Sequence, residues 1–180
     1  MRVLLLLTSF NALSQRLFVE LGERGHEVSV EIDVNDARTI EAVDLFQPDL
    51  VIAPFLKRAI PAEVFENQVC MIVHPGIVSD RGPSALDWAM MDGEPEWGVT
   101  VLQAVREMDA GPIWASATFP MRRATKSSLY RNEVAEAAVR AVFEAVVRFE
   151  AGGKPVAAED LAVARRGRWR HEWPGVGHHA

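Results

Sequence analysis

The 180-residue chain is sized for one domain and is long enough to bury a substantial core. A net charge of −6, with 24 % charged and 49 % apolar residues, is ordinary for a globular protein and argues against a nucleic-acid partner, which needs clustered Lys and Arg. The single cysteine, Cys70, excludes an internal disulfide framework. The apolar run at 3–7 is too short for a signal-peptide core or a membrane span, so a cytoplasmic protein is expected.

Residues 2–8 read as a short buried strand. Ser9 or Asn11 then caps a helix on which Leu13, Leu17, Phe18 and Leu21 recur at helical spacing, with Gly25 as its stop. Residues 26–32 alternate as a second strand, and Asp36 opens a second helix with Ile40, Val43 and Phe46 on its buried side. After Pro48-Asp49 comes a third strand at 50–53, a loop holding Pro54 and Pro61, and a fourth strand at 69–73. This alternation predicts an α/β domain: a doubly wound, mostly parallel sheet with helices on both faces. Beyond His74 an irregular loop leads to a helix with Pro83 in its first turn and Gly93 at its end. Two strands at 99–105 and 113–120 are expected to pair with each other or at the sheet edge. The clearest helix spans 129–149, with Tyr130, Val134, Ala138, Val142, Val146 and Phe149 on one stripe. The expected organisation is one domain at 1–150 and a tail or linker at 151–180, which carries the basic cluster Arg165, Arg166, Arg168 and Arg170.

Several positions are candidates for chemistry. The turn after the first strand, with Ser9 and Asn11, lies where α/β sheets bind ligands, but the glycine fingerprint of a dinucleotide site is absent, and an ordinary helix cap is the stronger local reading. His74 follows a buried strand directly and is suited to proton transfer, or equally to bonding a nearby carbonyl. Asp109, in Met108-Asp109-Ala110-Gly111-Pro112, reads locally as a turn residue. Arg81 is expected to pair with Asp80 or Asp87, or to bind an acidic ligand group. Cys70 reads as a buried structural thiol. His171, His178 and His179 in the tail lack the fixed geometry a metal site needs, and no metal is expected.

Taken together, His74-Pro75-Gly76, the Arg81-Gly82 turn, and the stretch from Glu107 through Asp109 to Ile113 resemble the folate-dependent formyltransferases. These include glycinamide ribonucleotide and methionyl-tRNA formyltransferases. Residues 48–61 are similar to the strand and loop that cradle the pterin ring in that family, and the likeness extends over about residues 1–150. Asp80-Arg81-Gly82-Pro83-Ser84, Leu86-Asp87-Trp88-Ala89 and Lys126-Ser127-Ser128-Leu129-Tyr130 are similar to the branch of the family that matures nickel–iron hydrogenases. The resemblance implies a Rossmann-like fold and 10-formyltetrahydrofolate as co-substrate. It makes His74 a proton donor or shuttle and gives Asp109 the task of holding His74 or a water. Leu56, Lys57, Arg58, Ala59, Ile72 and Asp109 would contact the folate. It further implies formyl transfer to coenzyme A. The formyl group then becomes the carbon monoxide ligand, with a crotonase-like partner domain or hydrogenase assembly proteins as partners.

The family's Asn-x-His motif reads Ile72-Val73-His74 here, and Ile72 has no side-chain donor. Removing one oxyanion donor typically costs on the order of a hundred- to a thousand-fold in rate. A backbone N–H replacing the donor, a better nucleophile as acceptor, or binding without catalysis would each accommodate the change. The thiol acceptor is favoured, because a thiol with pKa about 8.5 reaches its anion far more readily than an amine loses its protons. A non-catalytic folate-binding module, a hydrolase delivering formyl to water, and a scaffold for hydrogenase assembly remain alternatives.

Overall fold

The computed structural model describes residues 1–171; Trp173, His178 and His179 lie outside the described residues. Six strands form one sheet in the order β2-β1-β3-β4-β5-β6. β1 (Arg2–Leu7), β2 (Glu27–Ile32), β3 (Leu50–Pro54) and β4 (Cys70–His74) run parallel. β5 (Glu96–Gln103) and β6 (Ile113–Pro120) are added antiparallel at the β4 edge. The expected doubly wound, mostly parallel sheet is therefore present, with the two late strands paired.

Side-chain alternation along the strands sorts the core into two layers. Leu5, Leu7, Ile52, Met71 and Val73 face α1 (Ala12–Glu23), α4 (Ala85–Met91) and α6 (Ala135–Glu150). Leu4, Leu6, Val51, Ala53 and Cys70 face the opposite way, against α2 (Asp36–Phe46) and α3 (Ala62–Phe65). α1 begins where Asn11 accepts a hydrogen bond from the Ser14 N–H at 3.0 Å, a cap worth about 1 kcal/mol. α6 carries the main apolar face: Ala137, Ala138, Ala141, Val142, Ala145 and Val146 are buried on it.

The long C-terminal helix differs from its periodicity. It is built as a short α5 (Lys126–Leu129), a π-helical turn at Tyr130–Val134, and then α6. The expected helix start at Pro83 is also displaced to Ala85. Gly82 (φ 100°) and Ser84 (φ 62°) both hold left-handed backbone conformations that exclude a regular helix there. α3 is a single turn over residues expected to be loop, following Pro61, whose fixed φ suits a helix entry.

Two consequences of this layout set up the site. The one helix between β3 and β4 is the single turn α3, so the β4–β5 face is thinly covered. And β5 runs opposite to β4, with His74 paired to Thr100 and Met71 to Gln103, so β5 ends beside the start of β4 and the loop after it doubles back to bring Asp109 to His74. Residues 154–171 fold back on the domain through bridges of Val156 to Ile113 and Trp169 to Arg81. Among the described residues no helix is long and apolar enough to cross a membrane.

Candidate active site

A cleft of about 980 Å³ opens on the thinly covered face. Its floor includes Ile72 and Leu102, which sit side by side in the β4–β5 register. One wall is the 55–60 loop, entered through Phe55 at φ 51°. The opposite wall is the 104–109 loop, and Ser9 and Asn11 lie at its rim. Lys126, from α5, and Tyr130, at the start of the π turn, also line it.

His74 is the last residue of β4, and the sequence dictates that position. Pro75 biases His74 to extended backbone and cannot donate to the ladder, so the strand ends there. Gly76 is required by the contact that follows: a Cβ on it would lie 2.6 Å from both His74 Nε2 and Asp80 Oδ2. The loop is pinned from outside by Trp97 Nε1 donating to the Pro75 carbonyl (3.0 Å) and Thr100 Oγ1 donating to the Gly76 carbonyl (2.8 Å).

The imidazole is held between two buried carboxylates. Nε2 lies 2.9 Å from Asp80 Oδ2, with both side chains about 6 % exposed. A carboxylate only accepts, so Nε2 carries the hydrogen and the ring orientation is fixed. Nδ1 then faces Asp109 Oδ2 at 3.6 Å, too long for a hydrogen bond but within ion-pair distance. Asp109 has φ 54°, a left-handed conformation that Asp tolerates better than most residues. Its Oδ2 also accepts from the Gly82 N–H at 3.1 Å. Gly111, two residues on, has no room for a side chain against the Gln103 backbone, which explains the glycine in Asp109-Ala110-Gly111.

The cleft gathers Ser9, Asn11, Leu56, Lys57, Arg58, Ala59, Ile72, His74 and Asp109. The Asn11 side-chain oxygen is already used in capping α1, and the Arg58 guanidinium is drawn to the start of α2, donating to the Val34 carbonyl (2.9 Å) and Asp36 (3.0 Å). Arg81 does not line the cleft, nor does it pair with Asp80 or Asp87. It lies 3.8 Å from Glu107 and 5.5 Å from the Trp169 ring. Asp80 is turned inward to His74, while Asp87 accepts from Lys126 at 2.6 Å. Sequence reasoning missed Asp80 as the close acid on His74. The signal available was Gly76, a residue small enough to let the chain turn an acid back onto the histidine.

Burial acts on two weak acids, Tyr130 and Cys70. It pushes the Tyr130 phenol up to about 12, with Asp87 adding to the effect. It also pushes the Cys70 thiol up to about 12; Cys70 is fully buried and therefore poorly nucleophilic. Ile72 occupies the same face of β4 as His74, two residues before it, and presents only carbon to the cleft.

Known proteins share this fold. The chain is 60 % identical over 173 residues to the hydrogenase maturation factor HoxX of Bradyrhizobium diazoefficiens, covering 94 % of this chain and 31 % of that protein. It superposes on HypX from Aquifex aeolicus in complex with tetrahydrofolic acid with a TM-score of 0.89 and 53 % identity, covering 96 % of this chain and 30 % of that one. Methionyl-tRNA formyltransferase from Clostridium thermocellum shares the fold, with a TM-score of 0.69 at 20 % identity over 93 % of this chain and 73 % of that one. The chain thus spans about a third of the length of HoxX and HypX. The formyl transferase family model matches residues 23–146, the stretch that carries β2 through most of α6 with His74 and Asp109, and the chain belongs to the formyl transferase family.

Proposed function

We propose that this chain binds 10-formyltetrahydrofolate in the cleft and transfers the formyl group to coenzyme A, on the way to the carbon monoxide ligand of a nickel–iron hydrogenase. The observation that carries this reading is the placement of His74 and Asp109 at one end of a large cleft whose floor is apolar. The cleft volume is at the upper end of small-molecule sites, which suits a pterin with its aminobenzoyl extension. The likeness to HypX, a protein crystallised with tetrahydrofolic acid, supports the folate as occupant. The 55–60 loop offers backbone groups to a pterin, and Ile72 and Leu102 offer an apolar surface beneath it.

In the reaction the formyl carbon gains a C–S bond and loses its C–N10 bond. The thiol proton leaves, and N10 of the folate regains one. His74 is the group placed to shuttle that proton, because Asp80 fixes its ring and Asp109 faces its other nitrogen. Ile72 contributes no donor to the developing oxyanion, and an acceptor that attacks as a thiolate lowers the demand for one. Release of carbon monoxide from a formyl thioester regenerates the thiol, and belongs on this reading to a crotonase-like domain or to hydrogenase assembly proteins.

The test incubates purified protein with 10-formyltetrahydrofolate and coenzyme A, following folate absorbance and thioester by mass spectrometry. Equimolar tetrahydrofolate and formyl-coenzyme A are expected. Formate in place of thioester would make the chain a hydrolase, and saturable folate binding with no turnover would make it a non-catalytic module.

A further inference from the structure

The C-terminal segment makes a set of contacts that formyl transfer as described does not use. The loop that carries Asp80 is conformationally unfavourable on its own. Ser79 (φ 72°), Gly82 (φ 100°) and Ser84 (φ 62°) are all left-handed within six residues, and two of the three are not glycine. Each such serine costs on the order of 1 kcal/mol or more and persists only where the surroundings over-determine it.

The surroundings are supplied by residues 165–170. The Gly167 N–H donates to the Val78 carbonyl at 2.9 Å, the Arg81 N–H to the Arg168 carbonyl at 3.1 Å, and the Arg170 N–H to the Arg81 carbonyl at 3.0 Å. Arg166 Nη1 donates to Ser79 Oγ at 3.1 Å, and the same guanidinium is anchored on the Ala158 and Leu161 carbonyls, both at 2.7 Å. These contacts fall on residues 78, 79 and 81, on both sides of Asp80. Asp80 itself leaves no room for a side chain at Gly167. A Cβ on Gly167 would lie 2.6 Å from the Asp80 N and would overlap its Cα and Cβ. The outer end is fastened to the end of α4, where Arg170 bonds Asp92 at 2.6 Å and its guanidinium lies 4.4 Å from the Trp88 ring.

We propose that residues 165–170 are a strap that holds the Ser79–Gly82 loop in its catalytic conformation, and that Gly167 is a positioning residue acting through Asp80 on His74. The strap reaches both sides of the site. Asp80 orients His74, and Gly82, whose N–H bonds Asp109, has no space for a Cβ against the Arg170 carbonyl. The proposal deepens the formyl-transfer reading and rests on it for its kinetic consequence, though not for its structural one.

Gly167 does not have a left-handed backbone, so Gly167→Ala introduces only the Cβ and its overlap with Asp80. A displacement of a catalytic group by about 1 Å costs on the order of a hundredfold in rate, so kcat in Gly167→Ala should fall by up to that factor while folate affinity changes by less than about threefold. In an Asp80→Asn background the added Gly167→Ala change should cost less than about twofold, because both act through the same contact. The imidazole 15N chemical shifts of His74, assigned by their loss in His74→Gln, should move in Gly167→Ala. That readout tests the strap whether or not the wild-type protein transfers formyl groups, so a failure of the proposed reaction is distinguishable from a failure of the strap. Should Gly167→Ala not fold, Arg166→Gln carries the same measurements with a smaller expected loss, about tenfold. Unchanged His74 shifts in a folded variant, unchanged kcat, or a full additive loss in the Asp80→Asn background would each overturn the proposal.

Discussion

Asp80→Asn isolates the orientation of His74 from everything else in the cleft. The substitution preserves side-chain volume and removes the charge 2.9 Å from Nε2, at a side chain only 6 % exposed. A hydrogen bond to a charged group is worth about 1.5–3 kcal/mol where it is buried. At about 1.36 kcal/mol per factor of ten, loss of that interaction from the transition state lowers kcat by about 10- to 150-fold. The Asn amide can also present its NH₂ to Nε2 and select the other ring tautomer, which pushes the effect toward the upper figure. Asp80 is not among the residues that line the cleft, so KM for the folate should hold. The assay is steady-state formyl transfer at varied 10-formyltetrahydrofolate, with circular dichroism to confirm the fold. A folded Asp80→Asn enzyme with wild-type kcat, or one whose defect lies wholly in KM, would refute the assignment of Asp80 as the group that orients His74.

Gly76→Ala places a methyl 2.6 Å from His74 Nε2 and Asp80 Oδ2, so it should mimic Asp80→Asn kinetically, with a thermal-melt loss on the order of 1–3 kcal/mol from overpacking. Ile72→Asn puts an amide donor beside His74 on β4; amine formylation should rise relative to thiol formylation, and an unchanged acceptor ratio in competition assays would remove Ile72 from the account of specificity. Cys70, buried and with its thiol raised to about 12, should resist iodoacetamide at pH 8 in the folded protein and react on unfolding. The same shift has a sign for stability. The folded thiol keeps its proton after the unfolded one has lost it, so Cys70 removes stability as pH rises from 9 toward 12. Tyr130 acts likewise from 10 toward 12, and alkaline denaturation of Cys70→Ala should show a shallower fall over that window.

The strands and the order of helices were legible because short apolar runs, the alternation at 26–32 and period-3.6 spacing survive in a single sequence, from the Leu-rich first strand to the stripe on α6. The π turn at 130–134 was not, since the apolar stripe through Tyr130, Val134 and Ala138 keeps a spacing that an ordinary α-helix also gives. The cleft residues were reachable only through the family likeness; locally, Asp109 in an Asp-x-Gly stretch reads as turn chemistry. Asp80 stayed hidden for a different reason. Its contact with His74 spans six residues and depends on a left-handed serine beside it, which no periodicity encodes. Pairing Arg81 with Asp80 assumed that neighbours in sequence face each other. Arg81 instead bridges to Trp169 as extended chain, which sends consecutive side chains to opposite sides.

The single helical turn between β3 and β4 gives the cleft a floor and walls of unlike character. Ile72 and Leu102 belong to strands hydrogen-bonded on both sides, whereas the 55–60 and 104–109 segments are loops. In native-state amide exchange the floor should open only with the global unfolding of the domain, and the walls by local excursions far lower in free energy. A ligand held mainly by the walls then slows exchange where it was fast and leaves the slow amides untouched. Sequence change in the walls can retune what the cleft accepts without drawing on the stability of the sheet beneath it.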